Sequence, residues 1–180
     1  MLKSADWNLV VTAYGGRRHD LVYALRPIVR LKRAGYAEVT VGRVDDVEAT
    51  LVAIAARAEA DPVFAGEILA RVVPVMRTFA LGADVETQLV AEVTAFAATV
   101  GEQSFHVRVE RRGHKRELQS DQLERRLGGA LFDAIKAHGL TPRVTFTDPD
   151  LIVAVELIGD YGGIGLVPRA WRAAYRFVRL

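Results

Sequence analysis

The densest group of ionisable side chains in this sequence lies in one short turn. Five basic residues crowd around Gly113 there: Arg111, Arg112, His114, Lys115 and Arg116. Glycine adopts a positive backbone dihedral at little cost, so Gly113 can fold the cluster back on itself. Cations this close repel one another unless an anion binds them, and together they could neutralise several phosphates. The turn is therefore the first candidate for binding a polyanion, the alternative being an ordinary solvated basic loop.

Further arginines extend this candidate surface. Arg108 occupies the outward face of the strand before the turn, and Arg125 and Arg126 lie off the apolar stripe of the helix after it. Gly15-Gly16-Arg17-Arg18 precedes the first predicted helix and could hold a phosphate with backbone amides, although a plain turn explains it equally well. The candidate binding residues are Arg17, Arg18, Arg108, Arg111, Arg112, Gly113, His114, Lys115, Arg116, Arg125 and Arg126.

The residues that usually perform catalysis or bind metals are sparse. The sequence contains no cysteine, and no pair among its four histidines has metal-ligand spacing. Asp148 and Asp150 flank a proline, where turn hydrogen bonds explain the acids better than a metal or catalytic role. The GDYGGIG segment at 159–165 lacks the spacing of a dinucleotide fingerprint and is predicted to be a hairpin. We expect no catalytic residue, no metal and no cofactor.

The basic turn must be positioned by the elements on either side of it. Phe105, Val107 and Val109 alternate with polar residues, which predicts a strand with one buried face. Ser120 is the predicted N-cap of an amphipathic helix that ends at His138-Gly139. Two glycines inside this helix would each cost about 1 kcal/mol relative to alanine. Gly128 and Gly129 therefore indicate a close approach by a neighbouring element or a ligand.

The pattern of elements predicts an α/β (α+β) fold with two domains, at residues 1–79 and 80–180. In the first, strands at 7–14, 37–42, 48–54 and 72–77 and helices from residues 19 and 61 give the order βαββαβ, which is that of a ferredoxin-like unit. Pro27 must kink or delay the first helix, and Pro74 places the last strand at a sheet edge or bulge. The second domain has a helix over 84–100, the segment around the basic turn, strands at 143–146, 151–158 and 164–167, and a docked tail over 170–180.

Composition limits the class of protein further. The chain has 180 residues, is 51% hydrophobic and carries a net charge of +2, which indicates packed globular domains. Residues 101–180 hold 13 Lys or Arg against 10 Asp or Glu, so the basic excess lies in the second half. No apolar run is long enough for a membrane span and no secretory signal is recognisable, so a cytoplasmic protein without membrane contact is expected.

Three of these segments, taken in order, resemble a known family. They are the strand that ends in Arg111-Arg112-Gly113-His114, the Gly128-Gly129 helix and the Thr147-Asp148-Pro149-Asp150 turn. Together they resemble the THUMP domain, an RNA-binding module of tRNA thiouridine synthases, methylases and pseudouridine synthases, over roughly residues 80–170. The upstream half, from WNLVVTAY to ILARVVPV, resembles the ferredoxin-like domain that precedes THUMP in those proteins.

The resemblance implies a function as well as a fold. A ferredoxin-like domain and a THUMP domain without a catalytic domain are similar to the stand-alone THUMP proteins, tRNA-binding adaptors for N4-acetylcytidine formation. In that family a basic surface takes the acceptor end of tRNA, which implies this role for the turn around Gly113. The leading hypothesis is a non-catalytic adaptor that binds tRNA by shape and phosphate and presents it to a separate tRNA-modifying enzyme.

Two alternatives to the adaptor remain. The first is an enzyme, which the lack of a P-loop or nucleophile pattern disfavours. The second is a ligand-sensing or oligomerising regulatory module, since ferredoxin-like folds serve many functions. The sequence leaves the oligomeric state open. If the basic turn is exposed, replacing Arg111, Arg112, Lys115 and Arg116 with alanine should weaken RNA binding without unfolding the protein.

Overall fold

The first half of the chain forms a four-stranded antiparallel sheet with helices. A computed structural model describes residues 5–113 and 119–180. The sheet order is β2-β3-β1-β4, and together with the element order βαββαβ it defines a ferredoxin-like unit. Its elements are β1 (Leu9–Ala13), α1 (Arg18–Leu25), β2 (Leu31–Arg33), β3 (Val39–Gly42), α2 (Val47–Ala60), a π-helical turn (Phe64–Ile68) and β4 (Leu69–Pro74).

The predicted element order is confirmed, but two of its segments were wrong. Residues 48–54, predicted as a strand, belong to α2, whose N-cap Asp46 accepts a hydrogen bond from the Ala49 amide at 2.9 Å. The first helix ends at Leu25, just before Pro27, and Leu31–Arg33 pairs with β3 instead of continuing that helix. Proline stops the helix because it cannot donate the required backbone hydrogen bond. The order of the elements is preserved because β2, which was not predicted, takes the place of the strand that was wrongly predicted over 48–54.

The segment from Asp61 also departs from its prediction. The Asp61 carboxylate accepts hydrogen bonds from the amides of Val63 and Phe64, both at 3.1 Å, as an N-cap would. Only a five-residue π-helical turn follows, however, because β4 already begins at Leu69. Pro74 ends this strand at the edge of the first sheet, as predicted. The chain bends at Met76, and Arg77 begins the first strand of the second sheet.

The second half forms a five-stranded mixed sheet covered by helices. The strand order is β5-β9-β8-β6-β7, in which β6 runs parallel to both β7 and β8. The helix predicted over 84–100 is divided into two helices at Ala95–Phe96. The domain boundary predicted after residue 79 falls inside β5. The elements are β5 (Arg77–Ala80), α3 (Val85–Thr94), α4 (Ala97–Val100), β6 (Ser104–Arg112), α5 (Ser120–Ala137), β7 (Arg143–Val144), β8 (Leu151–Ile158), β9 (Tyr161–Pro168) and α6 (Arg169–Ala174).

Strand β8 serves both hydrophobic cores, because its two faces are buried against different halves of the chain. One face, which includes Val153 and Val155, packs in the core formed with α3 and α5. The other, which includes Ile152 and Ala154, packs in the core of the ferredoxin-like unit. The two halves approach so closely that a methyl group on Gly165 would lie 2.0 Å from the Pro74 carbonyl oxygen. Glycine is therefore the only residue that fits there.

The C-terminal tail packs against the first half of the chain. The Val72 amide on the outer edge of β4 donates a hydrogen bond to the Phe177 carbonyl at 2.8 Å. Phe177 and Val178 are buried in the core of the ferredoxin-like unit. The core that receives this tail is that of the first half of the chain.

Candidate nucleic-acid interface

The basic turn begins where β6 ends, beside the loop that precedes β3. Gly113 has a φ of +107°, as its predicted role in the turn requires. A methyl group at this position would lie 2.8 Å from Tyr36 Oη of the ferredoxin-like unit. Tyr36 therefore lies directly against Gly113 at the end of β6. The predicted binding residues His114, Lys115 and Arg116 lie outside the residues that the structure describes.

Arg111 joins the end of β6 to the start of α5. Its Nε donates a hydrogen bond to Ser120 Oγ at 2.6 Å. The helix cap is Gln119, so the predicted capping role of Ser120 is wrong, and its hydroxyl orients Arg111 instead. Arg111 Nη1 is buried and has no hydrogen-bond partner among the described residues. Arg111 thus retains an unsatisfied donor.

Arg108 precedes Arg111 on β6, and its side chain is exposed to solvent. Its side chain is 53% exposed, and Nη1 lies 3.7 Å from Glu124 Oε2. Glu124 is also engaged by the β6 backbone, because its Oε1 accepts a hydrogen bond from the Val109 amide at 2.9 Å. An ion pair this long and exposed contributes little stability, so Arg108 can exchange Glu124 for a phosphate.

Arg112 points into the protein, contrary to the expectation that the whole turn is exposed. Its side chain is 12% exposed, and Nη1 donates to Glu156 Oε2 at 2.5 Å. Glu156 lies on β8 and is fully buried. Burial raises the pKa of Glu156, and the nearby Arg71 and Arg112 guanidinium groups partly offset this shift. Arg112 therefore stabilises the fold, and replacing it should not be neutral.

The predicted arginines of α5 differ in their surroundings. Arg126 Nη1 donates a hydrogen bond to the Glu86 carboxylate of α3, although both side chains remain largely exposed. Arg125 is exposed and has no ion pair or hydrogen bond with any residue of the described ranges. It lies at a groove between α5 and β6. Of the two, Arg125 is the cation available to a ligand.

Arg17 and Arg18, at the start of α1, already have partners. Arg17 Nε donates to Asp20 Oδ2 at 2.5 Å. Arg18 Nη1 donates to the carbonyl of Ala37 and lies 3.4 Å from that of Tyr36. The Gly16 amide donates to the Glu38 carboxylate at 2.9 Å, so a carboxylate takes the place considered for a phosphate. Tyr36 nevertheless brings this basic corner close to Gly113.

The acids of the turn before β8 are engaged in structural contacts. Asp150 Oδ2 accepts hydrogen bonds from the Ser104 hydroxyl at 2.6 Å and the Ser104 amide at 2.8 Å, and these lower the pKa of Asp150. Asp148 lies 3.0 Å from Arg169 Nε. Among the described residues no group of three His, Asp or Glu side chains could hold a metal ion. Turn formation, the favoured interpretation, explains both acids.

Side chains that could contact a base lie beside this surface and were not among the predicted binding residues. Phe146 is 80% exposed and stacks on His106, with the ring centroids 5.4 Å apart. It was assigned to a predicted strand over 143–146, but β7 contains only Arg143 and Val144. The sequence signal for its exposure was a lone aromatic residue in the polar segment Thr145-Phe146-Thr147-Asp148, because no apolar neighbours in that segment can cover the ring.

The sheet orders and the element order define an α+β fold with two sheets. Residues 87–167 match the family model of the THUMP domain. The chain therefore contains a THUMP domain, preceded by a ferredoxin-like unit. Comparison with curated proteins gives no match. Helices of the described residues are all too short or too polar to cross a membrane.

Several solved structures share this fold. PH1313 from Pyrococcus horikoshii Ot3 is 13% identical with a TM-score of 0.61, over 89% of this chain and 54% of that one. TrmN from Thermus thermophilus is 23% identical with a TM-score of 0.59, over 91% and 47%. A 4-thiouridine synthetase in complex with RNA is 16% identical with a TM-score of 0.50, over 89% and 41%. This chain thus spans about half the length of these structures, and the similarity concerns the fold.

Proposed function

We propose that this chain binds tRNA at its acceptor end and presents it to a separate tRNA-modifying enzyme. The observation that carries the proposal is the THUMP domain at residues 87–167, with exposed cations on its β6 and α5. Arg108 has only a weak partner, and Arg125 has none among the described residues. Cations of this kind neutralise phosphates with little loss of existing interactions. The RNA in the 4-thiouridine synthetase complex supports the same assignment.

The chain acts without a catalytic group of its own in this proposal. The ionisable residues of the two described domains are mostly engaged in ion pairs and turn contacts, as at Asp148 and Arg112. The chemistry then resides in the enzyme that receives the tRNA, for which a tRNA cytidine acetyltransferase is the specific candidate. Tyr36 of the ferredoxin-like unit lies against Gly113, at the end of β6.

Fluorescence anisotropy with end-labelled tRNA tests the binding step. Intact tRNA and tRNA without its unpaired 3′ nucleotides are compared at low and physiological salt. We expect tighter binding to the intact tRNA and weaker binding as salt rises, because phosphate contacts release counterions. A folded protein that binds neither RNA would contradict the proposal.

The adaptor step needs a separate experiment. The purified chain is added to a tRNA cytidine acetyltransferase with tRNA and acetyl donor, and transfer of the acetyl group is measured. We expect the chain to raise the rate, and a variant with weakened tRNA binding to raise it less. A rate that is the same with and without the chain would exclude this enzyme as the partner.

A further inference from the structure

A groove runs along the open edge of β6 and is bordered by α5; we call it the edge groove. Its volume is about 460 Å³. β7 covers the edge of β6 only at Ser104 and Phe105, and Glu124 takes the Val109 amide further along. Because backbone groups of alternate residues point to the same edge, the amide and carbonyl of Val107 face the groove between these two points. They form a donor and acceptor pair on its floor.

The helix side of the edge groove is formed by the two glycines of α5. A methyl group on Gly129 would have no atom of residues 5–113 or 119–180 within 4 Å, and one on Gly128 would touch a Val107 methyl group at 3.9 Å. No close packing of protein elements therefore explains the two glycines, although each costs helix stability. Of the two explanations predicted from the sequence, these distances exclude a neighbouring element in the part of the chain that the structure describes. Space for a ligand remains.

The opposite side of the groove is an exposed aromatic platform. Phe146 stacks on His106 with an angle of 26° between the rings, so one face of Phe146 is supported and the other is available. His106 is itself fixed, because Nδ1 donates to the Thr145 carbonyl at 3.1 Å and leaves Nε2 as an acceptor in the neutral ring. An exposed, prearranged aromatic face is the feature on which proteins stack unpaired bases.

The charges around the groove suit a nucleotide. Arg125 lines it with no described partner, in position to meet a phosphate. Asp121 lies on the same side and would repel a phosphate, but its carboxylate can accept a hydrogen bond from an amino group of a base. The groove thus combines a stacking face, a backbone hydrogen-bonding pair and one unpaired cation.

We infer that the edge groove binds one unpaired nucleobase of the RNA, stacked on Phe146, with its phosphate at Arg125. This inference rests on the proposed function, because it assigns one contact of the same RNA. The base is held by its face and by the β6 edge, whereas the basic turn contacts the backbone. Binding therefore selects an RNA that offers a single-stranded nucleotide.

Substitutions of Phe146 test the stacking contact, measured by anisotropy with end-labelled intact tRNA. Phe146→Ala should weaken binding by about 5- to 150-fold, the range for the loss of one stacked base. Phe146→Trp should restore it. Tyr23→Ala is the matched control, because Tyr23 is 74% exposed on α1, away from the groove, and its loss should not change binding.

Gly129→Leu blocks the groove independently of Phe146. The open space at Gly129 accommodates the side chain, and leucine favours helix, so the variant should fold at least as stably as the parent. It should nevertheless bind tRNA at least fivefold more weakly. Thermal unfolding checks both expectations about folding.

The outcomes separate this inference from the proposed function. If the parent protein binds no tRNA, the proposed function fails. If the parent binds in a salt-dependent manner but Phe146→Ala and Gly129→Leu bind equally well, RNA binding stands and the edge groove is overturned as its base site. Weakening in Tyr23→Ala equal to that in Phe146→Ala would also overturn it.

Discussion

Arg71 Nη2 lies 3.1 Å from Glu156 Oε1, which joins β4 of the ferredoxin-like unit to β8 of the THUMP domain. Arg112 holds the other oxygen of the same carboxylate, and all three side chains are largely buried. A buried carboxylate is costly unless it is paired, so this cluster requires the two domains to adopt one arrangement. The end of β6, from which the basic turn emerges, is fixed by the same contacts.

Arg112→Ala should destabilise the protein by about 3–5 kcal/mol, because it leaves the buried Glu156 carboxylate with only Arg71. Chemical denaturation measures the free energy of unfolding. Arg125→Ala is the control, since an exposed arginine without a partner should change stability by less than about 0.5 kcal/mol. Equal stabilities for the two variants would contradict a structural role for Arg112.

Arg108→Ala combined with Arg125→Ala should weaken tRNA binding and also its dependence on salt. Each lost phosphate contact lowers the slope of log K against log salt by about 0.7–0.9, so the double variant should lose about 1.5. Anisotropy titrations at several salt concentrations give the slope. A weaker affinity with an unchanged slope would mean that these arginines do not contact phosphates.

Asp150→Asn should destabilise the protein in a pH-dependent way. The Ser104 hydrogen bonds lower the pKa of Asp150 in the folded state below its ordinary value of 3.8. The ionised carboxylate therefore contributes stability above pH 3.8, and this contribution is lost as the pH falls through the lowered pKa. The difference in Tm between the parent and Asp150→Asn should be largest near pH 7 and should shrink below pH 3.8. A difference that stays constant with pH would refute the charge-dependent contact.

Gly113→Ala should be destabilising and should also impair tRNA binding. Alanine is strained at a φ of +107°, and its methyl group would lie 2.8 Å from Tyr36 Oη. We expect a loss of more than about 1 kcal/mol in stability, measured by denaturation. In the Tyr36→Phe background the steric part of this loss should diminish, whereas the strain should remain. An unchanged stability would contradict the close contact.

Gly129→Ala should stabilise the protein by about 1 kcal/mol, because Gly129 lies within α5 and its added methyl group meets no atom of the described residues. Gly165→Ala is the opposite case, since the Pro74 carbonyl leaves no space for a methyl group there. Thermal unfolding of both variants provides the comparison. A lower Tm for Gly129→Ala would show that this glycine has a structural role after all.

Local sequence patterns predicted the second half of the chain better than the first. The strand around Val107, the helix that ends before Gly139 and the strongly apolar β8 are all present, because each has a clear periodicity and a clear end signal. The Ala-rich α2 was mistaken for a strand because its apolar residues follow neither the helical spacing nor the alternation of a strand clearly. Asp46, three residues before the amide that it caps, was the helix signal that could have corrected the assignment.

The contacts between the domains could not be predicted in the same way. Glu156 was visible as the only charge in the apolar strand Leu151–Ile158, but nothing local indicates that its partners are Arg71 and Arg112. Those pairings depend on how two sheets pack, which separate elements do not encode. The exposed position of Phe146 is likewise a consequence of where β7 stops. Sequence reasoning thus found the basic turn and overlooked the edge groove beside it.

The return of Phe177 and Val178 to the ferredoxin-like unit has a consequence for synthesis on the ribosome. The N-terminal domain is translated first, but the side chains that complete its core are translated about a hundred residues later. The nascent domain must therefore wait, with the edge of β4 and part of its core uncovered, until the THUMP domain has emerged. Both domains then complete their folding together.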